Sequence, residues 1–99
     1  MTHEKYQKYI NICEECAVIC EHCAMECLGE KDVKSLTRCI ELDRTCTDIC
    51  RSAAAIMARG SEFSNKVCGL CAQICQACAD ECAKHQHMEH CQDCAEICY

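Results

Sequence analysis

"CGLCAQICQACADEC", residues 68–82, places five cysteines in fifteen positions at successive steps of three, four, three and four. Such steps carry side chains along one face of an α-helix, the inward seam of a helical bundle. Leucine would fill that seam with more volume and no risk of oxidation, so the choice of thiol needs a reason. The rhythm is repeated. A shift of 55 residues lays Cys68, Cys71, Cys75, Cys78 and Cys82 on Cys13, Cys16, Cys20, Cys23 and Cys27, so that Cys20 and Cys75 hold matching middle positions. A second repeat, at an offset of 48, lays "CTDIC" (46–50) on "CAEIC" (94–98) and Cys39 on His87. The offsets differ by seven residues, about two turns, which makes the last helix a shortened version of the second.

The chain has no proline and only three glycines, so helix breakers are scarce. Four helices are predicted, over about 4–28, 33–59, 62–84 and 87–99. Gly29 ends the first and Asp32 caps the second, Gly60-Ser61 closes the second, and "KHQH" is a weak boundary before the fourth. The expected object is one domain, 1–99, all-α, an antiparallel four-helix bundle with a cysteine-lined core. Cys39, Cys46 and Cys50, and Cys91, Cys94 and Cys98, also keep the seam. Asp43 lies on it too, four after Cys39 and three before Cys46, and an inward carboxylate is costly unless it is paired or meets a cation. One position before some of the cysteines runs an apolar stripe: Ile12, Ile19, Leu42, Ile49, Ile56, Val67 and Ile74. It serves as a flank of the seam, or as an exposed band that joins chains into a homo-oligomer.

Ninety-nine residues bury only a thin core, and sixteen cysteines in so short a chain signal either a disulfide scaffold or a metal site. The opening "MTHEKYQKYI" has no basic segment followed by an apolar run and a small-residue cleavage site, which points to a cytoplasmic protein with reduced thiols. No apolar run approaches membrane-spanning length. A net charge of −6, with ten Lys and Arg, no Trp and one Phe, argues against a nucleic-acid surface.

A core of cysteines alone would leave cavities, so something else is expected along the bundle axis. Thiolates select copper(I), zinc and iron–sulfur clusters. Iron–sulfur signals place cysteines on a loop that wraps one cluster, and zinc wants four ligands converging from separate knuckles; neither needs an unbroken helical rhythm. Copper(I) accepts two or three sulfurs, and each thiolate bridges to a further ion, giving a row on the order of fifteen copper(I) ions at about one per cysteine. Each thiol releases one proton as one monovalent cation arrives, so the core fills without gathering charge. The rival readings are an iron–sulfur or dithiol redox protein and a zinc-thiolate buffer of metallothionein type. No single cysteine pair stands out as a catalytic one, so an enzyme is not expected. An entry mouth is expected at the end bearing Cys27 and Cys82, where His85 lies three past Cys82, and His87 and Met88 lie four and three before Cys91. His90 lies off the seam and is given less weight, and His3 and His22 none. Tyr6, Tyr9, Ile10 and Met57 are expected to plug the opposite end.

The two "C-x2-C-x3-C-x2-C-x3-C" runs, "CIELDRTCTDIC" at 39–50, and the histidine-rich turn before Cys91 together resemble the cytosolic copper storage proteins. The resemblance spans nearly the whole chain. It implies copper(I) on all sixteen cysteines, entry past His85 and His87, Asp43 in an inward position, and assembly into a tetramer that exchanges copper with donor or acceptor proteins. Against that family the fourth helix looks short.

Overall fold

The helix breakers fall where the chain turns. α1 (Gln7–Leu28) ends at Gly29, α2 (Thr37–Ala58) at Arg59 and Gly60, α3 (Ser64–Ala83) at Lys84, and α4 (Glu89–Cys98) completes the set in the computed structural model, which describes residues 5–98. The expected start at residue 4, the end at 99, and His3 lie outside the described residues. Gly60 has a φ of 66°, which costs glycine nothing sterically. Its N–H reaches the carbonyl of Met57 and the N–H of Ser61 reaches that of Ile56, a paired closure of the last turn of α2.

Three helix starts differ from expectation. Val33–Leu36 form a 3-10 turn, Asp32 makes no side-chain cap, and the α-helix begins only at Thr37. Local hydroxyls compete with the helix here: Ser35 Oγ donates to the Asp32 carbonyl at 2.8 Å and Thr37 Oγ1 to the Lys34 carbonyl at 3.0 Å. Leu36, fully buried, pins that turn to the core. α3 starts at Ser64 rather than 62 because the hydroxyl of Ser61 captures the N–H of Phe63. α4 starts at Glu89 rather than 87, after two successive tight turns in which His85 N–H bonds Cys82 and Met88 N–H bonds His85.

α1 packs on α2 and α4, and α3 packs on the same two, so the helices close into a ring. The thiols record direction. Between α2 and α3, Cys39 meets Cys82, Cys46 meets Cys75 and Cys50 meets Cys71; between α1 and α4, Cys16 meets Cys98, Cys20 meets Cys94 and Cys27 meets Cys91. One number rises as the other falls, so neighbours are antiparallel. Across the diagonal, α1 and α3 are parallel, with Cys13 facing Cys71, Cys16 facing Cys75 and Cys20 facing Cys78. That spatial offset is 58 or 59 residues rather than the 55 of the repeat. Sequence repetition carries no information on axial slide; α2 sets it, since Cys46 must meet Cys16 on one side and Cys75 on the other.

The rod measures 48 × 17 × 17 Å. With ten residues, α4 spans roughly 15 Å, against about 33 Å for the 22 residues of α1 or α2. Among the described residues the Met57 end of the bundle is therefore built from three helices. The apolar stripe mostly flanks the seam, because Ile19, Leu42, Ile49, Val67 and Ile74 pack half-buried against the core while Ile12 stays 47% exposed.

Candidate metal centre

Seam residues from the four helices meet in levels along the axis. From the Met57 end these are Cys13, Cys50 and Cys71; then Cys16, Cys46, Cys75 and Cys98; then Cys20, Asp43, Cys78 and Cys94; then Cys23, Cys39, Cys82 and Cys91; and last Cys27 with His90. Within the second level Cys16 lies 3.0 Å from Cys98 and 3.6 Å from Cys46, and Cys46 lies 3.5 Å from Cys75. One helical turn joins level to level: Cys16 to Cys20, Cys46 to Cys50 and Cys94 to Cys98 are each 3.9 Å apart, and Cys23 to Cys27 is 4.0 Å. All sixteen cysteines are free thiols, and all are buried except Cys68 and Cys75, which are half-buried. Cys68 stands apart from the column, with its Sγ 3.2 Å from Met57 Sδ.

Asp43 is the one carboxylate inside among the described residues. Its side chain is wholly buried, and its Oδ1 accepts from Cys78 at 3.2 Å, Cys94 at 3.4 Å and Cys82 at 3.6 Å, while Oδ2 accepts from Cys39 at 3.9 Å. The carboxylate therefore links Cys78 and Cys94 on its own level to Cys39 and Cys82 on the next. Burial, with the charge of Cys82 adding, pushes its pKa up to about 7, although the donating thiols pull the other way.

At the far end the structure singles out His90, to which the seam pattern gives less weight than to His85 and His87. Its Nδ1 lies 3.6 Å from Cys91, 3.7 Å from Cys23 and 3.8 Å from Cys27, and its Nε2 lies 3.3 Å from Glu30 Oε1. With Nε2 held by a carboxylate, the ring is oriented so that its other nitrogen faces the thiols. The missed signal was the flank stripe. His90 precedes Cys91 by one and Ile97 by seven, so it continues in α4 the row that flanks the cysteines elsewhere, and with α1 so close that row reaches the core. Burial, then the charge of Cys91, pushes the Cys27 thiol up to about 12, whereas donation from Cys23 and Cys39, helped by His90, holds Cys91 down at about 3.

The other expected mouth residues are not gathered at the sulfurs. His85 turns its Nε2 to Glu81 at 3.2 Å, His87 is exposed, and Met88 is buried beneath the turn at 9% exposure. At the opposite end Ile10 and Met57 are buried and Tyr6 half-buried, but Tyr9 is 53% exposed and a cleft lined by Tyr9, Met57 and Cys68 remains, so the expected plug is incomplete.

A profile of the copper storage protein family matches residues 2–99. The chain belongs to that family. It is similar to an uncharacterized cysteine-rich protein of Bacillus subtilis, YhjQ, at 47% identity over 87 residues, which is 88% of this chain and 80% of the relative. Among solved structures of the family, the Cu(I)-bound copper storage protein BsCsp3 superposes with a TM-score of 0.89 at 44% identity over 94% of this chain and 87% of that one. A cytosolic copper storage protein from Streptomyces lividans, loaded with five coppers, gives 0.92 at 41% over 98% and 85%. The four-helix bundle is thus the family's fold, and the iron–sulfur and zinc readings are not favoured.

Proposed function

We propose that the chain, as one domain over 1–99, binds and stores copper(I) on the thiolates of its sixteen cysteines, in the cytosol and without catalysing a reaction. The observation that carries this is the shared column: Cys16 alone approaches Cys20, Cys46, Cys75 and Cys98 within 3.9 Å, so one thiolate has several neighbours with which to bridge successive ions. Soft sulfur prefers the reduced, monovalent ion, and the exchange of one proton for one copper keeps a buried core neutral. The cytosolic description of the Streptomyces neighbour supports the location, and no helix among the described residues is long and apolar enough to cross a membrane.

In this reading the three-thiol pocket around His90 receives incoming ions, because a neutral imidazole binds copper(I) more weakly than thiolate and hands it on. His85, His87 and Met88 line the approach, and Asp43 accepts ions or protons between the level of Cys39 and Cys82 and that of Cys78 and Cys94. We further propose a homo-oligomer, a tetramer by family resemblance, that exchanges copper with donor or acceptor proteins. Anaerobic titration of the reduced protein with copper(I), followed by gel filtration and elemental analysis, tests the central claim. Retention on the order of fifteen coppers per chain is expected. Retention of one or two, or incorporation of iron with sulfide, would overturn it.

A further inference from the structure

Cys68 is the thiol that the column does not use. It faces Met57 across the ends of α2 and α3, Sγ to Sδ at 3.2 Å, and it is one of the two half-buried cysteines. Both residues line a cleft of ≈ 280 Å³ that Tyr9, Cys13, Cys71 and Cys98 also border, beside the end of α4. The cleft therefore opens onto the last levels of the column at the end opposite His90.

From this geometry we infer that Cys68, the one storage thiolate outside the column, shares its copper(I) with the Met57 thioether, and that this mixed site serves as a second port where copper is exchanged with soluble soft ligands. The inference rests on the storage reading and extends it, since Met57 would otherwise be only core. A thioether is soft, neutral and carries no proton, so it selects copper(I) over harder ions without adding charge. Binding is a ligand exchange: the arriving copper(I) forms bonds to Cys68 Sγ and Met57 Sδ, the Cys68 proton goes to water, the carrier's ligand leaves, and no electron moves. The bound ion is then neutral overall with one thiolate. Cys13 and Cys71 at the cleft wall offer the next thiolates inward, and a weak thioether yields to them as His90 yields at the other end.

Wild-type protein labelled with ¹³C at the methionine methyls, titrated anaerobically with copper(I) supplied as its acetonitrile complex, tests the site directly. The Met57 methyl resonance, assigned with Met57→Leu, is expected to shift as copper is added, while that of Met25, 69% exposed on α1, stays in place. A rise in thiolate-to-copper absorbance with no movement of the Met57 methyl through saturation would overturn this site and leave storage intact. No absorbance at all would instead sink the storage reading. For the port, loaded protein is challenged with a sulfonated phenanthroline chelator. Met57→Leu in a His90→Ala background is expected to release copper severalfold more slowly than His90→Ala alone, and equal rates would remove the port. If Met57→Leu fails to fold, as judged by its helical spectrum, Cys68→Ser in the same background takes its place with the same expectation, and the Met57 methyl is assigned by difference against Met25→Leu and Met88→Leu.

Discussion

Among the described residues, His90 and Asp43 are the two non-sulfur groups that hydrogen-bond to the thiol column, and their chemistry separates rate from capacity. Replacing His90 with alanine removes the imidazole beside Cys23, Cys27 and Cys91 but leaves every thiol. Copper uptake, followed by absorbance after rapid mixing, is expected to slow, while saturated stoichiometry falls by at most one ion. Replacing His85 and His87 together should slow uptake less, because His85 is engaged with Glu81 and His87 is exposed. For Asp43 the sign follows from the direction of its shift. Its pKa is raised from 3.8 to about 7, so between those values the folded state holds a proton that the unfolded state has lost, and this residue's contribution to stability falls as pH rises through that window. Asp43→Asn has no such group. In urea melts of reduced apoprotein, the stability of the variant relative to wild type should therefore rise from pH 4 to pH 7, by at most roughly 4 kcal/mol. A constant difference across that range would mean the carboxyl titrates normally.

At the scale of the helices, the backbone carries the fold and the sulfurs ride on it. Cysteine is a small hydrophobe that packs a seam without metal, and the backbone bonds of a helix do not depend on an ion. Reduced, metal-free protein in chelator should therefore give a strongly helical circular dichroism spectrum, and a coil spectrum would mean that copper organises the fold. The helices themselves were legible because steps of three and four between cysteines have one structural meaning, and because Gly29 and Gly60 sit at real stops. Their starts were less legible: the hydroxyls of Ser35, Thr37 and Ser61 bond locally to the backbone, and such competition leaves little trace in a hydrophobic pattern. The pairing of α1 with α3 was not legible either, since the 55-residue repeat equates Cys20 with Cys75 whereas packing sets Cys75 against Cys16 and Cys20 against Cys78. His90 escaped for a related reason. Whether a flank residue reaches the core depends on how closely the neighbouring helix approaches, a distance no single strand of sequence encodes.

The whole molecule is a narrow rod with an acidic exterior, yet its exposed large apolar side chains are concentrated on one helix. Among the described residues, Tyr9, Ile12, Val18, Met25 and Leu28 all belong to α1, and only Phe63 and Leu70 lie elsewhere. Val18 and Met25 are seven apart and 62% and 69% exposed, so they project from the same outward face, two turns from one another. A bundle whose interior is sulfur rather than leucine gains less from burial within one chain, and covering the α1 face in a symmetric assembly would recover part of that deficit. Sedimentation equilibrium at micromolar concentration is expected to give an oligomer, with a tetramer the specific expectation. The double substitution of Val18 and Met25 by glutamate places like charges at the centre of that face and should yield monomer. Because neither residue touches the thiol column, the monomeric variant should still take up as much copper per chain as the wild type. Wild-type protein that sediments as a monomer would remove the assembly, and a variant that stays oligomeric would move the interface off α1. Loss of copper capacity on dissociation would place part of the store between chains rather than within each bundle.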